Sequence, residues 1–191
     1  MIKLALFGAG RIGKIHGHNV ALNPQAELVA LHDPYQVNAD HLIAALGCQQ
    51  MTPEQIFSDP SITGILVCSA TDTHADLIEQ AVLTGKHVFC EKPIDLSLAR
   101  VQQVVAKVNA SPITSMLAFN RRFDSNFALL QQRIAAGDIG DVELVSIISK
   151  DPSPPPVDYI KVSGGLFRDM TIHDFDMARF LLAEEVVQVT A

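Results

Sequence analysis

Basic residues are scarce in this chain. Its 14 lysines and arginines stand against 21 aspartates and glutamates, a net charge of −7 with an isoelectric point near 5.4. That balance argues against a nucleic-acid surface or a basic membrane patch and leaves a small molecule as the expected partner. Cysteine is scarcer still. Cys48, Cys68 and Cys90 are an odd set without a C-x-x-C spacing, so neither a disulfide framework nor a zinc site is indicated, and three reduced, mostly buried thiols of a cytoplasmic protein are expected. No apolar run approaches the roughly 20 residues that span a bilayer. The apolar stretch within Met1–Ala9 is short for a signal peptide and leads straight into a glycine motif, so it reads as a strand. There is no internal repeat. What the chain has instead is apolar substance: 48% of its 191 residues are hydrophobic and 18% charged, enough to bury a core in one large domain or two small ones.

Short apolar runs alternate with helical patterns over the first two thirds, as they do where parallel strands are joined by helical crossovers. Ile2–Gly8, Glu27–Asp33, Ile62–Ala70, His87–Glu91 and Thr114–Phe119 are the expected strands. They are nearly continuous apolar runs, so both sheet faces should be covered by helices, which makes a doubly wound sheet. Thr52-Pro53-Glu54-Gln55 has the pattern of a capping box with proline at the first helical position. Leu77, Ile78, Ala81 and Val82 form a stripe closed by Gly85, and Ser97 can cap a helix whose stripe is Val101, Val104, Val105 and Val108. The pattern changes after Phe119. A helix is expected over Ser125–Ala136 ending at Gly137, then a strand over Val142–Ser149, a stiff loop with four prolines over residues 151–156, a helix over Gly165–Leu182 and a strand over Val186–Thr190.

Gly8-Ala9-Gly10-Arg11-Ile12-Gly13 fits G-x-G-x-x-G directly after a strand and opening a helix. Such glycines allow a tight turn, close approach of backbone to a pyrophosphate, and helix-on-sheet packing, with the phosphates at the helix N-terminus. Asp33 ends the second strand 20 residues beyond Gly13, where a carboxylate can accept both hydroxyls of an adenosine ribose. The alternative is a glycine turn beside an aspartate that caps the next helix. Gly8–Lys14 also spells G-x-x-x-x-G-K, but a P-loop needs Ser or Thr next, and Ile15 stands there. With Asp33 acidic and no arginine among Pro34, Tyr35 and Gln36, a 2′-phosphate would be repelled, so NAD is favoured over NADP.

Lys92, in Cys90-Glu91-Lys92-Pro93, emerges at the carboxyl ends of the strands, where open parallel sheets bind ligands. Pro93 restricts its backbone. The bland alternative is a surface lysine with its tip in water. On a helix, Asp169, His173 and Asp176 stand at i, i+4 and i+7, an imidazole flanked on one face by two carboxylates. That suits a general base; a polar face with incidental pairs, or a metal site, are the alternatives, the last without a further His/Cys pair to support it.

With these pieces the chain resembles the Gfo/Idh/MocA oxidoreductase family over its whole length. The resemblance is carried by GAGRIG (Gly8–Gly13), Asp33, FCEKP (Phe89–Pro93), NRRFD (Asn120–Asp124) and GGLFRDMTIHDFDMARFL (Gly164–Leu181). It implies a Rossmann-type doubly wound parallel sheet over residues 1–119, followed over residues 120–191 by the start of an incomplete α+β domain with an open antiparallel sheet, because members of the family continue well beyond this length. Lys92, Asp169 and His173 would be the catalytic set. Gly8, Gly10, Arg11, Ile12, Gly13, Asp33, Ala70, Thr71, His74, Glu91 and Lys92 would hold NAD, and Asn120 and Arg122 are second candidates for the substrate pocket. The Lys92–Pro93 bond is often cis in the family, and many members carry Asn where Asp72 stands. The implied reaction is NAD-dependent oxidation of a secondary hydroxyl on a cyclic polyol, myo-inositol first, by a cytoplasmic homo-oligomer with no metal. A non-catalytic NAD-binding fragment, another sugar or polyol dehydrogenase, and a metal-dependent hydrolase are the rivals.

Overall fold

The computed structural model describes residues 1–155 and 157–190, which fall into two compact units, Met1–Ala118 and Phe119–Ala191. Six parallel strands run through the first: β1 (Ile2–Phe7), β2 (Ala26–His32), β3 (Gln49–Gln50), β4 (Gly64–Val67), β5 (His87–Cys90) and β6 (Ser115–Leu117). They stand in the order β3-β2-β1-β4-β5-β6, so the chain order reverses between β1 and β4 and opens a crevice at their carboxyl ends. The five apolar runs all form strands. β3 went unforeseen because it is two glutamines long and offers no apolar pattern.

Helices α1 (Arg11–Ala21), α2 (Gln36–Leu46), α3 (Pro53–Ser58), α4 (Thr71–Thr84) and α5 (Leu98–Asn109) cover both faces. On one face Phe7, Ile65, Val67 and Val88 pack with Ile56 of α3, Ile78 and Ala81 of α4 and Val104 of α5. On the other, Leu6, Leu28, Leu31 and Leu66 pack with Val20 of α1 and Leu42 of α2. Burial on both sides is what the continuous apolar runs require. The capping box forms: Thr52 Oγ1 accepts from the Gln55 amide at 3.3 Å and Gln55 Oε1 from the Thr52 amide at 2.8 Å. α4 ends at Gly85. Ser97 precedes α5 without a side-chain cap bond; its amide donates to Asp95 Oδ1 at 2.7 Å. Val105 faces solvent, so the α5 stripe is narrower than expected.

In the second unit a 3-10 turn (Asn120–Phe123) leads into α6 (Ser125–Ala135), capped by Asp124, whose Oδ1 accepts from the Asn126 and Phe127 amides. α7 (Val157–Val162), α8 (Leu166–Asp169) and α9 (Ile172–Leu182) follow. Three expectations change here. The helix over Gly165–Leu182 is two helices, because Leu166 O accepts from both the Met170 and Thr171 amides and the ladder slips by one residue before α9 starts. Residues 142–149 and 186–190 are extended only in sequence pattern. Neither pairs with another described strand, and a strand exists only through backbone bonds to a neighbour. Leu144 and Val187 are accordingly 84% and 100% exposed. Finally, α7 arises directly after the proline loop, whose last residue, Pro156, lies outside the described residues. Among the described residues, no helix is long and apolar enough to cross a membrane.

Candidate active site

The glycine turn is built by contacts that exclude side chains. A Cβ on Gly8, whose φ is +95°, would lie 2.6 Å from Cys68 O and Ser69 N, and one on Gly13 would lie 1.9 Å from Gly8 O. The turn therefore presses β1 against the end of β4 and seats α1 on the turn itself. Gly10 differs, since nothing lies within 4 Å of its Cβ position. As the N-cap of α1 it supplies no side-chain cap, which leaves the first-turn N–H groups and the positive end of the helix dipole for an anion.

Asp33, 7% exposed, holds this turn. Its Oδ2 accepts from the Ala9 amide at 2.6 Å and its Oδ1 from the Tyr35 amide at 2.7 Å. Each carboxylate oxygen keeps a second lone pair, so capping and ribose binding are compatible. Space beside Gly10, an uncapped helix start and a buried carboxylate next to it together fit a dinucleotide. Arg11 is exposed and Ile12 half-buried at the same turn.

Across the crevice, Ala70 is the N-cap of α4 and Thr71 its first residue. Thr73 Oγ1 donates to Ala70 O at 2.7 Å. His74 is buried between two backbone segments, with Nδ1 2.8 Å from Pro93 O and Nε2 3.1 Å from Ser69 O. Lys92 is half-buried and its bond to Pro93 is cis. The neighbouring Glu91 accepts from His16 of α1 through Oε1 at 2.8 Å. All three cysteines are free and buried. Burial, with the Glu91 charge adding to it, pushes Cys68 up to about 12, and burial likewise raises Cys48 and Cys90. These thiols are not nucleophiles at neutral pH.

In the second unit, Asp169 ends α8 and its Oδ1 accepts from the Tyr159 hydroxyl of α7 at 2.7 Å. His173 stands in the first turn of α9, edge-on to Phe119 with ring centres 6.3 Å apart. The helix break takes Asp169 off the helix that carries His173, so the single-face argument for the pair does not hold. Asp176 is buried and accepts from Arg122, which donates to it from Nε at 2.8 Å and Nη2 at 2.6 Å. The Arg122 guanidinium also lies 5.3 Å from the centre of the Phe180 ring; the bonds to Asp176 raise its pKa despite partial burial. Asp174 accepts from Arg121 and, at 2.5 Å, from the Ser149 hydroxyl. Burial opposes its charge, but these bonds and the Arg121 charge outweigh that and hold the carboxyl below its ordinary value. Asn120 opens the 3-10 turn and is exposed. Among the described residues no three His, Cys, Asp or Glu side chains form a metal-holding group. Sequence reasoning missed His16, Tyr159 and the two arginine–aspartate pairs. Only His16, one turn beyond Gly13, stood beside a motif that could have drawn attention to it.

Comparison with known proteins places the chain in a family. A model of the GFO/IDH/MocA group described as an oxidoreductase family with an NAD-binding Rossmann fold matches residues 2–119. The GFO/IDH/MocA C-terminal domain matches residues 127–191. An inositol 2-dehydrogenase from Rhizobium meliloti is 52% identical over 190 residues, covering 100% of this chain and 58% of that protein. A solved myo-inositol dehydrogenase from Corynebacterium glutamicum superposes with a TM-score of 0.89 at 48% identity, over 95% of this chain and 55% of the other. A scyllo-inositol dehydrogenase from Lactobacillus casei, solved with NAD(H) and scyllo-inositol, gives 0.85 at 33% identity over 97% and 57%. The chain thus spans somewhat more than half the length of these relatives.

Proposed function

We propose that this chain, which belongs to the GFO/IDH/MocA oxidoreductase family, carries the cofactor half and the first part of the substrate half of an NAD-dependent dehydrogenase. Its substrate would be a cyclic polyol with a secondary hydroxyl, myo-inositol oxidised to its 2-keto form first among them. The observation that carries the reading is the uncapped start of α1 beside Gly10, with Asp33 bonded into the same turn at 2.6 Å. Bound NAD would supply the hydride acceptor. The protein then has to place the hydroxyl, take its proton and stabilise the charge that develops on its oxygen. The roles that the family resemblance implies are His173 for the proton, with Asp169 as its partner, and Lys92 for the developing charge. Arg122, bonded to Asp176 through Nε and one Nη2 hydrogen, retains the second Nη2 hydrogen and both on Nη1 as donors for a substrate hydroxyl.

Asp33 sets the cofactor preference, because a 2′-phosphate would bring negative charge to a buried carboxylate. Homologous inositol dehydrogenases support the substrate class; a homo-oligomer in the cytoplasm is the setting expected for it. Calorimetric titration with NAD and NADP tests the cofactor half, and tighter binding of NADP would overturn it. NADH formation against a panel of inositols and sugars tests the substrate half, which fails if a non-polyol alcohol is the better substrate.

A further inference from the structure

Lys92 sits between two residues that are each held by a histidine from a different helix. On its N-terminal side, Glu91 Oε1 accepts from His16 Nε2 at 2.8 Å, and the two side chains are only 16% and 20% exposed, so water screens this contact weakly. The His16 ring is also edge-on to Phe89 of β5, with centres 4.8 Å apart, and is thereby pinned from two sides. On the C-terminal side, Pro93 O lies 2.8 Å from His74 Nδ1, the other ring nitrogen being 3.1 Å from Ser69 O. The sheet itself holds this end of β5 through the Glu91 amide, which donates to Val67 O at 2.9 Å. His16 belongs to the helix that follows the glycine turn, and His74 to the helix across the crevice.

We propose that His16 is a positioning residue that completes a clamp on Glu91–Lys92–Pro93, the opposite jaw being His74, and so keeps the lysine in register with the turn that receives the dinucleotide. The purpose of the clamp rests on the cofactor reading above; its existence does not. A helix that moves with the bound phosphates carries the strand-end segment with it, and the lysine keeps its distance from the nicotinamide end.

Two measurements on this chain test the clamp. In the nucleotide-free protein, the Glu91 amide is expected to exchange about tenfold faster in His16→Ala and near its original rate in His16→Gln, whose amide nitrogen can reach as Nε2 does, while the Leu6 and Phe7 amides hold their rates. With ligand, affinity for NADH should fall about tenfold in His16→Ala, while ADP-ribose, which lacks the nicotinamide, stays within about twofold. A residue that merely supports α1 would weaken both nucleotides alike and speed exchange in β1 as well; that pattern overturns the proposal, as does an unchanged Glu91 amide. If the unaltered chain binds neither nucleotide, the cofactor reading fails, and the exchange rates alone decide the clamp.

Discussion

Replacing Gly13 with alanine perturbs the turn at its tightest point. The added Cβ would stand 1.9 Å from Gly8 O and 2.9 Å from Gly8 C, whereas non-bonded carbon and oxygen atoms need roughly 3 Å or more. The obstacle is backbone, not a side chain that can rotate away, so α1 must shift by about 1 Å or the turn must open. Overpacking of this kind costs about 1–3 kcal/mol, a fall of about 4 °C in Tm per kcal/mol for a unit of this size. The same shift moves the first-turn N–H groups of α1 off their target. Hydrogen bonds to a charged group contribute about 1.5–3 kcal/mol each, so losing one weakens NAD by roughly 10- to 150-fold. Gly10→Ala is the control, because its Cβ meets nothing within 4 Å and its φ of −69° suits any residue. It should hold Tm within about 1 °C and still lose NAD affinity, since its methyl occupies the space where backbone approaches a pyrophosphate. Thermal melts and calorimetric titrations of the two variants give the answer. A Gly13→Ala protein with unaltered Tm, or a Gly10→Ala protein that binds NAD as tightly as before, would refute the reasoning.

Asp33→Ala should narrow the preference for NAD over NADP and, by leaving the Ala9 and Tyr35 amides without their acceptor, destabilise the fold by about 1–3 kcal/mol; a preference that stays constant on titration shows that specificity lies elsewhere. Lys92→Ala and His173→Ala should each lower kcat about 10²- to 10⁴-fold with little change in NAD affinity, and near-normal turnover in either would make that residue structural. Glu79 is held down to about 2 by hydrogen bonds from Arg100 and Lys107. A depressed carboxylate stabilises the folded chain above its ordinary pKa and loses that contribution as pH falls through the folded value. Arg100→Met should therefore lower the urea midpoint at pH 7, with the difference shrinking from about pH 4.5 toward pH 2; an equal difference at both ends contradicts the assignment. Ala183 closes α9 with a φ of +53°, so Ala183→Gly should stabilise by about 1 kcal/mol, and a lower denaturation midpoint would show that this cap is not strained.

The first unit was legible because each of its instructions is local. A parallel strand buried on both faces leaves a continuous apolar run in the sequence, and a capping box or terminal glycine marks the helix that follows. The glycine turn is local in the same sense: six consecutive residues build it, and the partner that locks it, Asp33, stands where a second strand must end. The one strand overlooked, Gln49–Gln50, is defined by pairing with β2 and not by its own side chains.

The second unit resisted for the opposite reason. Residues 142–149 are rich in β-branched and apolar side chains like a strand, but such composition states only what a strand would bury, and these residues pair with no described strand. The helix break at Met170–Thr171 is likewise invisible to spacing: i, i+4 and i+7 positions are read on the assumption of an unbroken ladder, and Leu166 O breaks it by accepting twice. Long-range polar pairs lie further still from any local rule. Arg122 and Asp176 are 54 residues apart, and His16 and Glu91 are 75 apart. A charged residue in the sequence carries no record of its partner, so Asp176 read as a companion of the nearest imidazole when its carboxylate belongs to an arginine on another element. The chemistry of a site can thus be proposed from residue types, whereas which carboxylate serves which cation is decided by topology, and the reach of each side chain must be taken from the fold.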